Sequence, residues 1–165
     1  MIIWIIGLSG SGKTTLAKEV KKLAYKRNKN IVHIDGDEVR SIFQNKNYKL
    51  EGRKLNAQQI FKLCYFLDKN NINVVCSILS IFPKLRNKNR LKFKKYYEVF
   101  IDCDMEKLIK RDPKGIYKRF IKGKIKNVAG MDIKFPVPKN SNLYIKNDKS
   151  KKDLIKFAKK ISRLL

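Results

Sequence analysis

The sequence predicts an α/β fold in which a parallel β-sheet is flanked by helices. Three observations carry that expectation. A glycine-rich loop sits between an apolar run and a helix start. Strand-like and helix-like segments alternate along the chain. The 165 residues match one domain, 1–165, with room for a substantial core.

The elements follow in order. Met1-Ile2-Ile3-Trp4-Ile5-Ile6 is a continuous apolar run, as in strands buried on both faces, and Ile2–Ile6 is the first strand. Thr14–Arg27 reads as a helix. Ile31–Ile34 is a second strand and runs into Asp35-Gly36-Asp37, with a short helix over Asp37–Phe43. Arg53–Asp68 carries helical spacing through Ile60, Leu63, Cys64 and Leu67. Ile72–Ser77 is a third strand, Lys84–Lys95 a strongly basic helix, Tyr97–Ile101 a fourth strand and Met105–Arg111 a helix. A last short strand, Leu143–Ile145, precedes an amphipathic helix over Lys151–Leu164. Between them, Asp112–Val137 lacks periodicity and contains Pro113, Gly115, Gly123, Gly130 and Pro136. A stretch of this length is functional or disordered. A lid over 112–137 that keeps water from a reacting phosphate is its expected use.

Gly7-Leu8-Ser9-Gly10-Ser11-Gly12-Lys13-Thr14 fills every fixed position of the phosphate-loop pattern G-x-x-x-x-G-K-[ST], in the strand–loop–helix context the pattern needs. The glycines let backbone N–H groups curl toward phosphate oxygens, and the helix N-terminus adds partial positive charge. Gly7, Ser9, Gly10, Ser11, Gly12, Lys13, Thr14 and Thr15 are therefore the expected ATP contacts. Lys13 should reach the β- and γ-phosphates, and the Thr14 hydroxyl should hold Mg²⁺, with Asp35 or Asp37 as a further metal candidate through water. In a parallel sheet, ligands lie beyond the carboxyl ends of the strands. The loop, Asp35, Asp37 and Ser80 should gather there.

The formal net charge is +26. Such a field favours anionic ligands, but Lys and Asn are scattered from Lys18 to Lys160 and accompanied by abundant Ile. That pattern fits an AT-rich coding sequence better than a dedicated nucleic-acid surface, and no RRM-type signature is present. No apolar stretch is long enough for a membrane span, and the first strand begins at Met1, so neither leader nor membrane is expected and the location should be cytoplasmic. Cys64, Cys76 and Cys103 lack metal-ligand or C-x-x-C spacing and read as reduced core residues. With His33 the lone histidine, a histidine-based zinc site is not expected, and His33 itself reads as a packed or hydrogen-bonded strand residue.

Beyond the loop, the chain carries Asp35-Gly36-Asp37-Glu38-Val39-Arg40, Arg111-Asp112-Pro113-Lys114-Gly115-Ile116-Tyr117-Lys118 and Ile125-Lys126-Asn127. With the phosphate loop, these segments resemble adenylylsulfate (APS) kinase, in family order and spacing from the first strand to about Pro138. The resemblance implies a P-loop kinase fold, ATP with Mg²⁺, and phosphoryl transfer to the ribose 3′-hydroxyl of a small 5′-modified nucleotide. It also implies that Asp37, the second aspartate of Asp-Gly-Asp, orients or deprotonates that hydroxyl, with Lys13 and Ser80 beside the transferred phosphate. Arg40, Arg53, Asn56, Leu79, Ser80 and the lid residue Lys114 become acceptor candidates by the same match, and Arg111 a contact for the ATP base. The family is often dimeric, so a homodimer is open.

The departures cluster on the acceptor side. Two family arginines are Gln58 and Gln59 here, and a third is replaced at Pro83 unless Lys84 or Arg86 substitutes. The family holds the acceptor base between two aromatic rings. Tyr48 keeps the first, but Val128 stands at the second. Losing one stacking face costs ~1–3 kcal/mol per base. A different acceptor is therefore expected, such as the cytidine diphosphoramidate used by a capsule-modifying branch of the family. The alternatives are APS itself and, from another class, a basic nucleic-acid-binding P-loop protein.

Overall fold

The computed structural model describes residues 1–27, 29–148 and 150–165. Strands β1 (Ile2–Ile6), β2 (Ile31–Asp35), β3 (Asn73–Ile78), β4 (Tyr96–Asp102) and β5 (Leu143–Lys146) form one sheet in the order β2-β3-β1-β4-β5, with every pair parallel. The helices are α1 (Lys13–Tyr25), α2 (Gly36–Ile42), α3 (Leu50–Lys69), α4 (Pro83–Lys92), α5 (Met105–Arg111), α6 (Ile116–Ile121) and α7 (Lys151–Ser162). The α/β fold expected from the alternation is the fold observed.

Why β1 is apolar throughout is visible in its packing. Successive side chains of a strand point to opposite faces. Ile3 and Ile5 pack with Leu16, Ala17 and Val20 of α1 and with Leu154, Ala158 and Ile161 of α7. Ile2, Trp4 and Ile6 pack on the other face with Val39 of α2 and Ile60 and Cys64 of α3. Both faces are covered, so alternation disappears and a continuous apolar run remains. Each fully buried aliphatic side chain contributes ~1.5–3 kcal/mol.

The boundaries differ from expectation where caps decide them. The Asp35 carboxylate accepts from the Asp37 N–H, so α2 begins at Gly36. Helix α3 begins at Leu50, one turn before Arg53. The expected lid contains a helix, α6, whose six residues are too few for a readable period. The three cysteines are buried and free, and His33 Nε2 lies 2.9 Å from Ser77 Oγ. Among the described residues, no helix is long and apolar enough to cross a membrane.

The parallel sheet directs all its carboxyl ends to one edge. There β1 runs into the glycine loop, β2 ends at Asp35 and β3 runs into Leu79–Phe82. That edge holds the candidate site.

Candidate active site

The loop after β1 wraps tightly. Gly12 takes φ 100° at the N-cap of α1. A Cβ there would lie 2.6 Å from Leu154 Cδ2 and 2.9 Å from Asn147 Nδ2, so both the backbone and the space require glycine. Asn147, just past β5, donates from Nδ2 to the Ser11 carbonyl at 2.7 Å. Lys13 Nζ donates to the Leu8 carbonyl at 2.7 Å. Burial, and next the Lys114 cation, lower the Lys13 pKa from 10.5 to about 8. The Ser11 hydroxyl is buried without a hydrogen-bond partner. A cation resting on a carbonyl and an unpaired hydroxyl both suit an anionic ligand in the loop.

Asp35 is a junction. Its Oδ2 accepts from Thr14 Oγ1 at 2.7 Å and from Ser77 Oγ at 2.8 Å. Its Oδ1 accepts from the Asp37 N–H at 2.9 Å. Burial pushes this carboxyl up, but the hydrogen bonds from Asp37, Thr14 and Ser77 together outweigh it and hold the pKa below the usual range. An ionised carboxylate touching the Thr14 hydroxyl is a hard oxygen donor set, which fits Mg²⁺ beside bound phosphates. No group of three or more His, Cys, Asp or Glu among the described residues could hold a metal alone.

Asp37, on the first turn of α2, is exposed and ion-paired with Lys114 from the opposite wall. The pair brings two sequence-derived candidates together across the cleft, 77 residues apart in the chain. Lys114 reaches there because its segment is capped. Asp112 Oδ2 accepts from the Lys118 N–H at 2.9 Å, and Gly115 turns the chain at φ 64°.

The acceptor candidates fall into two groups. Arg40 and Arg53 gather around the Tyr48 ring, and Asn56 lies nearby against Gly36. The Arg40 guanidinium lies 4.6 Å from the Tyr48 ring centroid and that of Arg53 lies 5.9 Å away. Arg40 Nη1 donates to the Asn45 and Asn47 carbonyls. Arg53 donates from Nε to the Tyr48 carbonyl and from Nη2 to the Asn127 carbonyl, at 2.8 and 2.6 Å. Burial and the nearby Arg40 charge lower the Arg53 pKa. Asn56 donates to the Gly36 carbonyl, while its Oδ1 is buried and unpaired. Gly52 allows this arrangement to form. A Cβ on it would lie 2.1 Å from the Asn47 carbonyl, so a side chain there would expel the loop that carries Tyr48.

The second group is less open than the sequence suggests. Ser80 is buried in a left-handed backbone conformation, φ 55°, and its hydroxyl accepts from the Trp4 indole at 3.4 Å. Packing has taken Ser80 out of the open cleft. Leu79 packs beside Ile81, Ala129 and Phe135. Val128 is 4% exposed and buried with Cys103, Leu108 and Tyr117. It offers no open face to a base, because the apolar lid core claims it. Arg86 does not substitute for the missing arginine, since both its Nη atoms are spent on backbone carbonyls, Ser80 and Pro136 from Nη1 and Pro136 from Nη2. Lys84 is exposed on α4. Arg111 donates to Cys103 Sγ and to the Asn147 carbonyl, beside the phosphate loop.

Three positioning residues escaped sequence reasoning: Asp112, Tyr117 and Asn147. The first two lie in the Asp-Pro-Lys-Gly-x-Tyr segment, which was itself the available signal. Asn147 follows an ordinary short strand and gave none.

A family model described as adenylylsulphate kinase matches residues 1–146 of this chain. A protein named cytidine diphosphoramidate kinase from Campylobacter jejuni is 39% identical over 146 residues, covering 88% of this chain and 85% of its own. An adenylyl-sulfate kinase from Thermodesulfovibrio yellowstonii is 37% identical over 150 residues, covering 89% and 75%. The Mycobacterium tuberculosis APS kinase, solved in complex with AMPPNP and APS, superposes with a TM-score of 0.85 at 25% identity, covering 98% of this chain and 96% of that one.

Proposed function

Because this chain belongs to the adenylylsulfate kinase family, as an ATP-dependent phosphotransferase with a hydroxyl acceptor, we propose that its acceptor is a cytidine 5′-conjugate such as cytidine diphosphoramidate. The group phosphorylated is the ribose 3′-hydroxyl.

The observation that carries this reading is the asymmetry of the base pocket. Tyr48 is 53% exposed and offers one ring face, whereas position 128 is a buried valine. One face holds a small pyrimidine more readily than it replaces a two-sided purine sandwich. Two further features support it. Gln58, Gln59 and Pro83 stand where the resemblance implies arginines. The Asn56 Oδ1 atom, on the side chain that donates to the Gly36 carbonyl beside Asp37, is a buried acceptor without a donor, which suits a substrate carrying N–H groups. The 39% identity to a relative named for this acceptor points the same way.

In this reading the loop N–H groups and Lys13 cradle the donor phosphates, and Arg111 lies against the ATP base. Thr14 and Asp35 are the residues that would hold Mg²⁺. Bound MgATP supplies the phosphoryl group and neutralises part of its charge. Asp37 accepts the proton of the 3′-hydroxyl. Lys114 answers the charge on the transferred group once Asp37 turns to the acceptor. Arg40 and Arg53 face the 5′-end of the acceptor from the Tyr48 wall, and Asn56 contacts its sugar or base.

A second reading, APS as the acceptor, draws on the same two guanidiniums at Tyr48 and on the relatives named adenylyl-sulfate kinase. A side-by-side steady-state comparison of the two acceptors at saturating MgATP separates them. The cytidine conjugate should show the higher kcat/KM. Efficient turnover of APS with an inert cytidine conjugate overturns the first reading in favour of the second.

A further inference from the structure

Tyr117 is the largest side chain with no exposed surface that sits between the lid and the phosphate loop. It is wedged among Cys103, Leu108 and Val128. Its phenol crosses to the loop and donates to the Ser9 carbonyl at 3.0 Å, 108 residues away in sequence. Its own N–H points at Asp112 Oδ1, 3.3 Å away. The neighbouring turn is closed by the Gly115 N–H on the Asp112 carbonyl at 2.9 Å. Lys114, the residue that meets Asp37, lies inside that turn.

The planarity of the peptide gives the contact a consequence. In a trans peptide the C=O and the following N–H point in opposite directions. A phenol that holds the Ser9 carbonyl on the lid side turns the Gly10 N–H to the other side. Asn147 does the same one peptide further on, since it holds the Ser11 carbonyl at 2.7 Å and so turns the Gly12 N–H away from itself. Burial first, and then the Asp112 charge, push the phenol pKa up to about 12, so the donor keeps its proton at any working pH.

We propose that Tyr117 is a positioning residue that couples the lid to the phosphate loop, so that the turn presenting Lys114 to Asp37 and the loop presenting the Gly10 N–H move as one body. Val128 belongs to the same buried cluster as the ring, so the packing that supports Tyr117 is also what withholds a second face from the base. The proposal rests on the nucleotide-binding reading of the loop, and its tests include one that needs no nucleotide.

Tyr117→Phe keeps the ring and its packing and removes only the hydroxyl. In the ligand-free protein, amide hydrogen exchange should quicken in 9–12 and in 112–118 together. Quickening confined to the lid, or no change in either segment, overturns the coupling. In steady-state kinetics the KM for MgATP should rise roughly three- to tenfold, the range one lost hydrogen bond allows, while the KM for the acceptor holds within about twofold by the same measure. A lower melting temperature with unchanged kinetics indicates a purely structural tyrosine and overturns the proposal. Repeating the substitution in a Lys114→Ala background completes the test. If the lid acts through Tyr117, the second effect should shrink to under about twofold, since residues that act as one unit are not additive. Equal fold-changes in both backgrounds overturn it. Failure of the wild-type protein to respond to MgATP at all would instead strike the nucleotide reading, and the ligand-free exchange result would still decide the coupling.

Discussion

Lys13→Met isolates the cost and the purpose of a confined cation. Burial and the Lys114 charge lower the Lys13 pKa from 10.5 to about 8. At ~1.4 kcal/mol per unit, that displacement sets an upper bound of ~3.5 kcal/mol on the penalty of keeping the ammonium charged in the ligand-free fold. The unfolded chain holds this proton up to the ordinary value. The penalty is therefore full below about pH 8 and fades as pH rises toward 10.5. Lys13 Nζ also donates to the Leu8 carbonyl, a bond worth ~1 kcal/mol that the variant loses. The net expectation at pH 7 is a ligand-free variant as stable as wild type or up to ~2.5 kcal/mol more stable. For a chain of this size that is a melting temperature up to ~5–10 °C higher. MgATP at one hundred times its Kd should add ~2.7 kcal/mol to wild type, or ~5–11 °C. The variant should gain little and turn over no acceptor. Scanning fluorimetry with and without MgATP reads all of this. A variant that melts below wild type, yet gains the full nucleotide shift, would refute both the electrostatic account and the phosphate-loop role of Lys13.

Other perturbations address other parts of the site. Asp37→Asn should leave MgATP binding near wild type by calorimetry and lower kcat by ~10²–10⁴-fold; a loss below about tenfold moves the base elsewhere, with Asp35 next. Gly52→Ala should lower kcat/KM for the acceptor on the order of 10²-fold without changing MgATP affinity, because its Cβ would displace the Asn47 carbonyl and with it Tyr48. Val128→Phe should cost ~1–3 kcal/mol in urea unfolding by overpacking the lid core; unchanged stability with a gain for purine acceptors would place the ring in the base pocket instead. Because the free-enzyme pKa of Lys13 is about 8, kcat/KM for MgATP should fall on the alkaline side through that value, and Lys13→Arg should abolish the inflection.

Much of this was legible because it is local. The apolar run of β1, the glycine loop and the Asp35-Gly36-Asp37 segment each announce themselves within a few residues, and they do converge on one edge of the sheet. What was not legible depends on distant partners. Val128 reads as a pocket residue until Leu108 and Tyr117 close around it. Arg53 reads as a free acceptor ligand until the Asn127 carbonyl, 74 residues away, takes one of its donors. Helix α6 is hidden because Asp112 and Gly115 cap six residues that have no period to show. Ser80 matches by motif, but Trp4 on β1 holds its hydroxyl.

The central claim is transfer of the ATP γ-phosphoryl group to a ribose 3′-hydroxyl of a cytidine 5′-conjugate. Phosphorus NMR of the protein with MgATP and cytidine diphosphoramidate tests it directly, with the 3′-deoxy analogue alongside. A new phosphomonoester resonance coupled to the 3′ proton is expected, equimolar with ADP and absent with the deoxy analogue. ADP with inorganic phosphate alone, or the same new resonance from the 3′-deoxy compound, would contradict it.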